Sequence, residues 1–331
     1  RFGTATVKAP GLVVDLATTR RERYERPGAL PLVEPAALRE DLARRDFAIN
    51  AMAIALTRDE LGRLIDPHGG RADLDARLVR ILHERSFGDD PMRLLRAVRY
   101  ESRLGFRMDP DTEAAARAAI ADGALGTVSA HRVRDELMDL LGELEVGRAV
   151  ERLVDLDLAA ALHPALDPHP ELVASAALAC LECGADRALA ALAALVSADP
   201  DALEEWVGEL GLLRSERQRV LGAARQAPGL VGPLLGDLPR SAVHALLRCE
   251  PPETLALALA LGAPAEPILG FLADLRAVHL EITGDDLVAA GVPRSPAIGR
   301  ALDEVLRRKL DGELRGGREE ELAAALEVAR S

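Results

Sequence analysis

Aromatic residues make up only 2% of this 331-residue chain: one Trp, two Tyr and five Phe. Its core therefore has to be built from Leu, Ala and Val, which favours helix over sheet. Lysine is nearly absent, with Lys8 and Lys309 alone, so arginine carries the positive charge. Cys180, Cys183 and Cys249 are too few for a disulfide framework and suit a reducing cytosol. Cys180 and Cys183 form a lone C-x-x-C in an alanine-rich helical pattern. With no second pair to complete a zinc site, they read as core residues. No signal-peptide pattern and no apolar run long enough to span a bilayer is visible, and the chain reads as cytoplasmic.

Positive charge is also in deficit overall. The net charge of −13 argues against a global attraction to nucleic acid. Its distribution qualifies this: residues 1–107 hold 20 Arg and Lys against 16 Asp and Glu, and the remainder 21 against 38. A nucleic-acid partner would have to use a local basic patch.

What is present begins with strands. Residues 4–8, TATVK, alternate, Pro10-Gly11 turn, and residues 12–16, LVVDL, return, which predicts a hairpin. Asp15 sits in that β-branched run, either meeting a cation or metal or lying on the solvated face of an edge strand. The segment TTRRERY, containing Arg20, leads into a Pro-rich loop through Pro35. From Ala37 onward LREDLARRDFAINAMAIAL reads as helix, and its Arg44-Arg45-Asp46 followed by Asn50 is a dense polar group beside an apolar one. A short strand at Leu64-Ile65 precedes a turn at Asp66–Gly70, and Asp73-Leu74-Asp75 opens the next helix.

The stretch GDDPMRLLRAVRYESRLGF, residues 88–106, organises the rest. Asp89 and Asp90 stand where the first backbone N–H groups of a helix lie free, and Pro91 fits its first turn. Asp90, Arg93, Arg96 and Arg99 follow at three-residue spacing and so share a helix face. Met92, Leu94, Leu95, Val98 and Leu104 lie on the other. A carboxylate heading a row of planar cationic forks can bind the edge of an aromatic heterocycle or hold a polyphosphate. The same spacing also describes a solvated face of i,i+3 ion pairs.

Beyond Phe106 the pattern is helical throughout, parted by Pro, Gly or Asp, with no fixed repeat. Candidate boundaries lie at Asp157–Pro170 and Gln226–Pro239, both rich in Pro and Gly.

Taken in order, several segments resemble the class II tRNA nucleotidyltransferase and bacterial poly(A) polymerase family. They are RFGTATV at 1–7, VVDLATTRRERY at 13–24, EDLARRDFAINAMA at 40–53, LIDPHGGRADL at 64–74, DDPMRLLRAVRYESRLGF at 89–106 and SAHRVRDELMDLL at 129–141. The tail segment ITGDDLVAAGV with IGRALDEVL, within 282–306, matches as well, and the likeness is weakest over 150–280. The resemblance implies a mainly α protein: a partial polymerase-β-like α+β palm, then helical neck, body and tail. The corresponding spans are 1–80 for the head, 81–150 for a nucleotide-selecting neck, 151–230 for the body and 231–331 for a tRNA-binding tail.

It also implies an activity, addition of C or A from CTP and ATP to a tRNA 3′ end, with two Mg²⁺ ions assisting phosphoryl transfer. By position, Asp15 matches the third palm carboxylate and a metal ligand. Arg45 matches a nucleotide-contacting arginine, with Arg20, Asp46 and Asn50 supporting. Asp90 and Arg93 match the pair that reads the base edge, and Arg96 and Arg99 match further nucleotide contacts. The family's G-G-x-V-R-D turn and D-x-D metal pair are absent and are expected upstream of Arg1, so the chain as given is expected to be inactive alone. Asp89 stands where the family usually has Glu, and His131 where an acid is usual. Alternatives are a poly(A) polymerase and a non-catalytic RNA-binding helical protein.

Overall fold

The computed structural model describes residues 3–26, 28–29 and 31–330; Arg1 and Phe2, which open the first matching segment, lie outside them. The chain forms two compact units, Arg1–Ala174 with Ala194–Arg217, and Ser175–Ala193 with Gln218–Ser331. Helix dominates, as the aromatic-poor composition predicts.

The first unit opens with the expected hairpin. β1 (Thr4–Ala9) pairs antiparallel with β2 (Leu12–Ala17), turning at Gly11, whose φ of +74° is left-handed backbone that glycine adopts freely. Every residue of both strands is exposed. Arg20 lies in β3 (Arg20–Arg23), which pairs antiparallel with β4 (Leu32–Pro35). That second hairpin corrects the expectation of a Pro-rich loop through Pro35: Pro35 ends an edge strand, where its missing N–H breaks no ladder. The long helix expected from Ala37 is also shorter than its apolar pattern suggests. α1 (Leu38–Ala43) stops before Arg44, and a 3-10 turn at Ala48–Asn50 follows.

β5 (Ala53–Ile54) and β6 (Leu64–Ile65) pair antiparallel. α2 (Gly70–Ala76) starts three residues ahead of Asp73. Asp66 explains the early start, because its two oxygens accept the N–H groups of Gly70 and Arg71 at 2.7 and 2.9 Å. Gly70 is required there: a Cβ would fall 2.1 Å from the Ala48 carbonyl oxygen.

β7 (Leu78–Val79) leads to α3 (Ser86–Asp89) and then to α4 (Met92–Leu104), which ends at Gly105 with φ +68°. β8 (Arg107–Met108) returns to pair parallel with β7, a strand the sequence did not predict beyond Phe106. Among the described residues no strand follows it. α5 (Pro110–Ala121), α6 (Ala130–Leu141) and α7 (Val146–Asp155) complete the packing. Leu94, Leu95, Ala97 and Val98 of α4 are buried, as are Val133, Leu137 and Leu140 of α6 and Ala149, Val150 and Leu153 of α7. Burying a leucine of this kind contributes about 1.5–3 kcal/mol.

In the second unit the helices Pro296–Leu310 and Arg318–Arg330 pack together around Ile282, Leu287, Ala301, Val305 and Ala325. Glu321 is fully buried beneath them, accepting from Lys309 Nζ at 2.5 Å and from Glu281 N at 2.7 Å. Glu253, equally buried, accepts from Arg219 Nε at 2.8 Å and Asp186 N at 3.0 Å. The break read at Gln226–Pro239 moves: the helix Arg214–Leu234 runs on through Pro228 and Pro233. Val220, Ala223, Ala227, Leu230 and Leu234 are buried at helical spacing along it, which outweighs the hydrogen bonds the prolines remove. Cys180 and Cys183 are buried, and burial pushes the Cys183 thiol up to about 11, an inert core thiol rather than a reactive one.

Candidate functional site

Asp90 sits at the start of α4 and is 6% exposed. Its Oδ1 accepts from Met92 N at 3.2 Å, capping the helix, and from Arg132 Nη2 at 2.7 Å. Its Oδ2 accepts from Arg96 Nη1 at 3.4 Å. Three donors leave one of the roughly four lone-pair sites of a carboxylate unfilled. Arg132 also donates Nη1 to the Gly28 carbonyl at 3.1 Å, so α6 holds Asp90 and the β3–β4 connection together.

Arg93 is 2% exposed and turned inward. Nε donates to Asp46 Oδ1 at 3.0 Å, Nη1 to the Ser86 hydroxyl at 2.7 Å, and Nη2 to the Arg44 carbonyl at 2.7 Å. The side chain thereby ties the turn after α1 to α3 and α4. Arg96 Nη1 meets Asp46 at 3.2 Å, so Asp46 stands between the two arginines. Burial alone would lower the Arg96 guanidinium, but Asp46, Glu136 and Asp90 outweigh it and raise its affinity for the proton.

The row of open forks expected along α4 is therefore closed in this structure, and the solvated face of i,i+3 pairs is not what replaces it. The partners lie on α6 and, for Glu143, just past its end. Arg96 Nε meets Glu136 at 2.6 Å, Arg99 Nη1 meets Asp139 at 2.5 Å, and Arg103 Nε meets Glu143 at 2.9 Å. Each rung joins residues 40 apart, so α4 and α6 run parallel with their charges in register. The sign reverses at the first rung, where α4 supplies the acid, Asp90, and α6 the base, Arg132. Single-sequence spacing shows that a face is charged. It does not show which distant helix answers it, so Arg132 and Glu136, four residues apart on one face of α6, were missed as partners although their segment was noted.

Arg45 behaves differently. Its side chain is 47% exposed, and among the described residues it pairs through Nη2 with Asp41 Oδ2 at 3.2 Å. Arg44 is engaged by Asp41 and Glu22, both at 2.8 Å. Arg20 gives its backbone N–H to Asp41 at 3.0 Å and Nη2 to Glu22 at 3.0 Å. Burial would raise the Asp41 carboxyl, but hydrogen bonds from Arg44 and the Arg20 N–H prevail and hold it below the usual carboxylate range. Burial next to Glu22 pushes the Tyr24 hydroxyl up to about 12, and Arg93 and Asp90 both act on it. Asn50 accepts the Phe47 N–H at 3.0 Å and donates to the Tyr100 hydroxyl at 3.3 Å, holding the turn that carries Asp46. Arg20, Asp41, Asp46, Asp90, Arg93 and Arg96 are thus joined through shared partners.

Asp15 stands apart from this cluster's contacts. It is exposed on β2, where its Oδ1 accepts the Thr6 hydroxyl at 2.6 Å. Among the described residues no group of three or more His, Cys, Asp or Glu side chains could hold a metal ion. The described residues do not by themselves fit a Mg²⁺ pair.

A paired-strand head, then a helix headed by a buried acid–arginine cluster, and helices alone beyond β8, is the arrangement of a nucleotidyltransferase. Comparison agrees. Residues 1–80 match the family described as "Poly A polymerase head domain", and residues 105–169 that described as "Probable RNA and SrmB-binding site of polymerase A". The chain is 34% identical to an A-adding tRNA nucleotidyltransferase of Geobacter sulfurreducens, over 100% of this chain and 40% of that protein. It is 34% identical to a CC-adding tRNA nucleotidyltransferase of Deinococcus radiodurans, over 97% of this chain and 75% of that one. An apo CCA-adding enzyme superposes with a TM-score of 0.85 at 32% identity, covering 99% of this chain and 80% of the other. The Thermotoga maritima CCA-adding enzyme complexed with tRNA superposes at 0.78 and 30% identity, covering 99% and 79%. The chain belongs to the tRNA nucleotidyltransferase and poly(A) polymerase family. It spans about two fifths of the length of the Geobacter relative.

Proposed function

We propose that the protein containing this chain adds C or A residues from CTP and ATP to the 3′ end of tRNA, with Asp90 selecting the base. The observation that carries this is the Asp90 carboxylate, held at the head of α4 by Met92 N, Arg132 and Arg96 with one acceptor position left. A carboxylate accepts from the exocyclic amine that cytosine and adenine share. Uracil and guanine present a carbonyl there, and a buried unpaired acceptor disfavours them. Arg93 takes part by exchanging its Ser86 hydroxyl contact for a ring nitrogen or carbonyl of the base. Arg45, exposed and lightly held, contacts the incoming nucleotide away from its base. Arg96 and Arg99 supply further contacts, while Arg20, Asp46 and Asn50 keep the cluster in place.

Relatives named as A-adding, CC-adding and CCA-adding enzymes, and a neighbour complexed with tRNA, support this reading. Magnesium assistance is part of the same reading, with Asp15 offering one carboxylate ligand. Residues 1–80 act as head, 81–150 as selecting neck, 151–230 as body and 231–331 as tRNA-binding tail, in the cytoplasm. No helix among the described residues is long and apolar enough to cross a membrane. A second reading, poly(A) addition, rests on the description of the matching head family.

Nucleotide incorporation by the full-length protein on tRNAs ending before C74, C75 and A76 tests both. Incorporation at one or more of those steps is expected. Long homopolymeric tails on any RNA end would favour the second reading, and no incorporation from any of the four nucleotides would overturn both.

A further inference from the structure

A charged groove of about 390 Å³ lies where the C-terminal end of α4 meets β8 and α7. By the rise of a helix it is roughly 20 Å along α4 from Asp90. Nearly every arginine between Arg80 and Arg152 has an acidic partner. Arg107 and Arg148 are the exceptions. Both are exposed, both line this groove, and among the described residues neither side chain has a hydrogen bond or ion pair.

The acids nearest to them are largely committed elsewhere. Glu101 is buried, accepting from Arg152 Nε at 2.9 Å and from Met108 N at 2.5 Å. Glu113 is paired with Arg152 and with Arg117. Asp155 leans on Arg152 at 3.6 Å. Glu151 is the one lining acid without a partner among the described residues, and it opposes an anion there.

We infer that Arg107 and Arg148 together grip a phosphate of the RNA backbone. Two unpaired guanidinium forks facing one open groove match a phosphodiester, whose oxygens accept bidentate pairs. Both residues fall within the segment 105–169 that matches the RNA-binding family. The site reads no base and serves to position the RNA. The inference rests on the tRNA reading above and names contacts which that reading does not.

The test is fluorescence anisotropy of the whole chain with labelled tRNA and with an unrelated single-stranded RNA, across a salt series. Arg107→Gln and Arg148→Gln should each weaken Kd by about 3–10-fold on both RNAs, a fraction to one decade of affinity. Each should also reduce the slope of log Kd against log salt by about one unit or slightly less. Neither change breaks an ion pair, so the fold should be untouched. Glu151→Gln should tighten binding, an opposite sign that a structural role would not produce. Arg63→Gln, which removes an exposed arginine paired to Glu60 at 2.7 Å, should change nothing. If tRNA binds but Arg107→Gln and Arg148→Gln match the wild type, this site is wrong and the tRNA reading stands. If the wild type binds tRNA no better than a polyglutamate peptide, both fall.

Discussion

Arg132 Nη2 lies 2.7 Å from Asp90 Oδ1, across 42 residues of sequence. The same guanidinium reaches the Gly28 carbonyl at 3.1 Å. One side chain therefore orients the acid at the head of α4 and anchors the connection between β3 and β4. Lysine offers a point charge in place of a planar fork and can serve one of these acceptors at a time. Arg132→Ala should lower stability by about 1–3 kcal/mol. Arg132→Lys should recover part of that stability in urea unfolding. If Asp90 needs this orientation to select bases, Arg132→Lys should still blur the preference for CTP and ATP over UTP and GTP. A lysine variant with wild-type preference would reduce Arg132 to a structural tie.

Arg93 and Arg45 should separate stability from nucleotide affinity. Arg93 has all three nitrogens engaged and is 2% exposed, so Arg93→Ala removes the donor to the Ser86 hydroxyl and the Arg44 carbonyl. Asp46 keeps Arg96, so the loss is that of the buried hydrogen bonds, about 1–3 kcal/mol, enough to lower Tm clearly. Arg45 is 47% exposed, and Arg45→Ala should shift stability by no more than about 0.5 kcal/mol. It should raise KM for all four nucleotides without reordering them, as expected for a contact away from the base. A large loss of Tm in Arg45→Ala would contradict that division.

Tyr24 provides a titration signal from beside the cluster. Burial and Glu22 push its hydroxyl up to about 12 from an ordinary 10. The folded state thus holds the proton more tightly than the unfolded chain. The stability this contributes is full below pH 10 and disappears as pH rises through about 12. Absorbance titration should show one tyrosine ionising late in the wild type and none of that component in Tyr24→Phe. A wild-type curve in which Tyr24 ionises near 10 would show that the hydroxyl is not buried against Glu22.

Local signals carried much of the first unit. The β1–β2 hairpin was legible because Pro10-Gly11 sits between two β-branched runs. α4 was legible from the cap, the proline and the leucine periodicity. The β3–β4 hairpin was not, because its strands hold Arg-Arg-Glu-Arg and a proline, and their pairing is sustained by Arg21 meeting Glu34 at 2.7 Å rather than by apolar alternation. The two-residue β7–β8 pairing is too short to leave a pattern at all. In the candidate site, sequence showed which residues are charged and on which face. It could not show that Arg96, Arg99 and Arg103 face Glu136, Asp139 and Glu143, because that depends on two helices running parallel in register 40 residues apart.

Asp90→Asn is the sharpest test of the base-selecting role. Asp90 also caps α4 through Met92 N at 3.2 Å, so loss of the side chain would mix two effects. Asparagine retains one oxygen that can accept from Met92 N and keeps the cap largely intact. It replaces the other oxygen with an NH₂ that donates where the carboxylate accepted. The amines of CTP and ATP then face a donor, and the carbonyls of UTP and GTP gain one. Relative kcat/KM for UTP and GTP should rise by about 10–100-fold against CTP and ATP, since a reversed hydrogen bond in a buried site is worth about 1–3 kcal/mol. The measurement is a four-nucleotide profile on a tRNA lacking its terminal residues, with far-UV circular dichroism to confirm that α4 survives. If all four nucleotides slow by one common factor while the helix is intact, Asp90 is a cap and an anchor for Arg132, and the choice of base is made elsewhere.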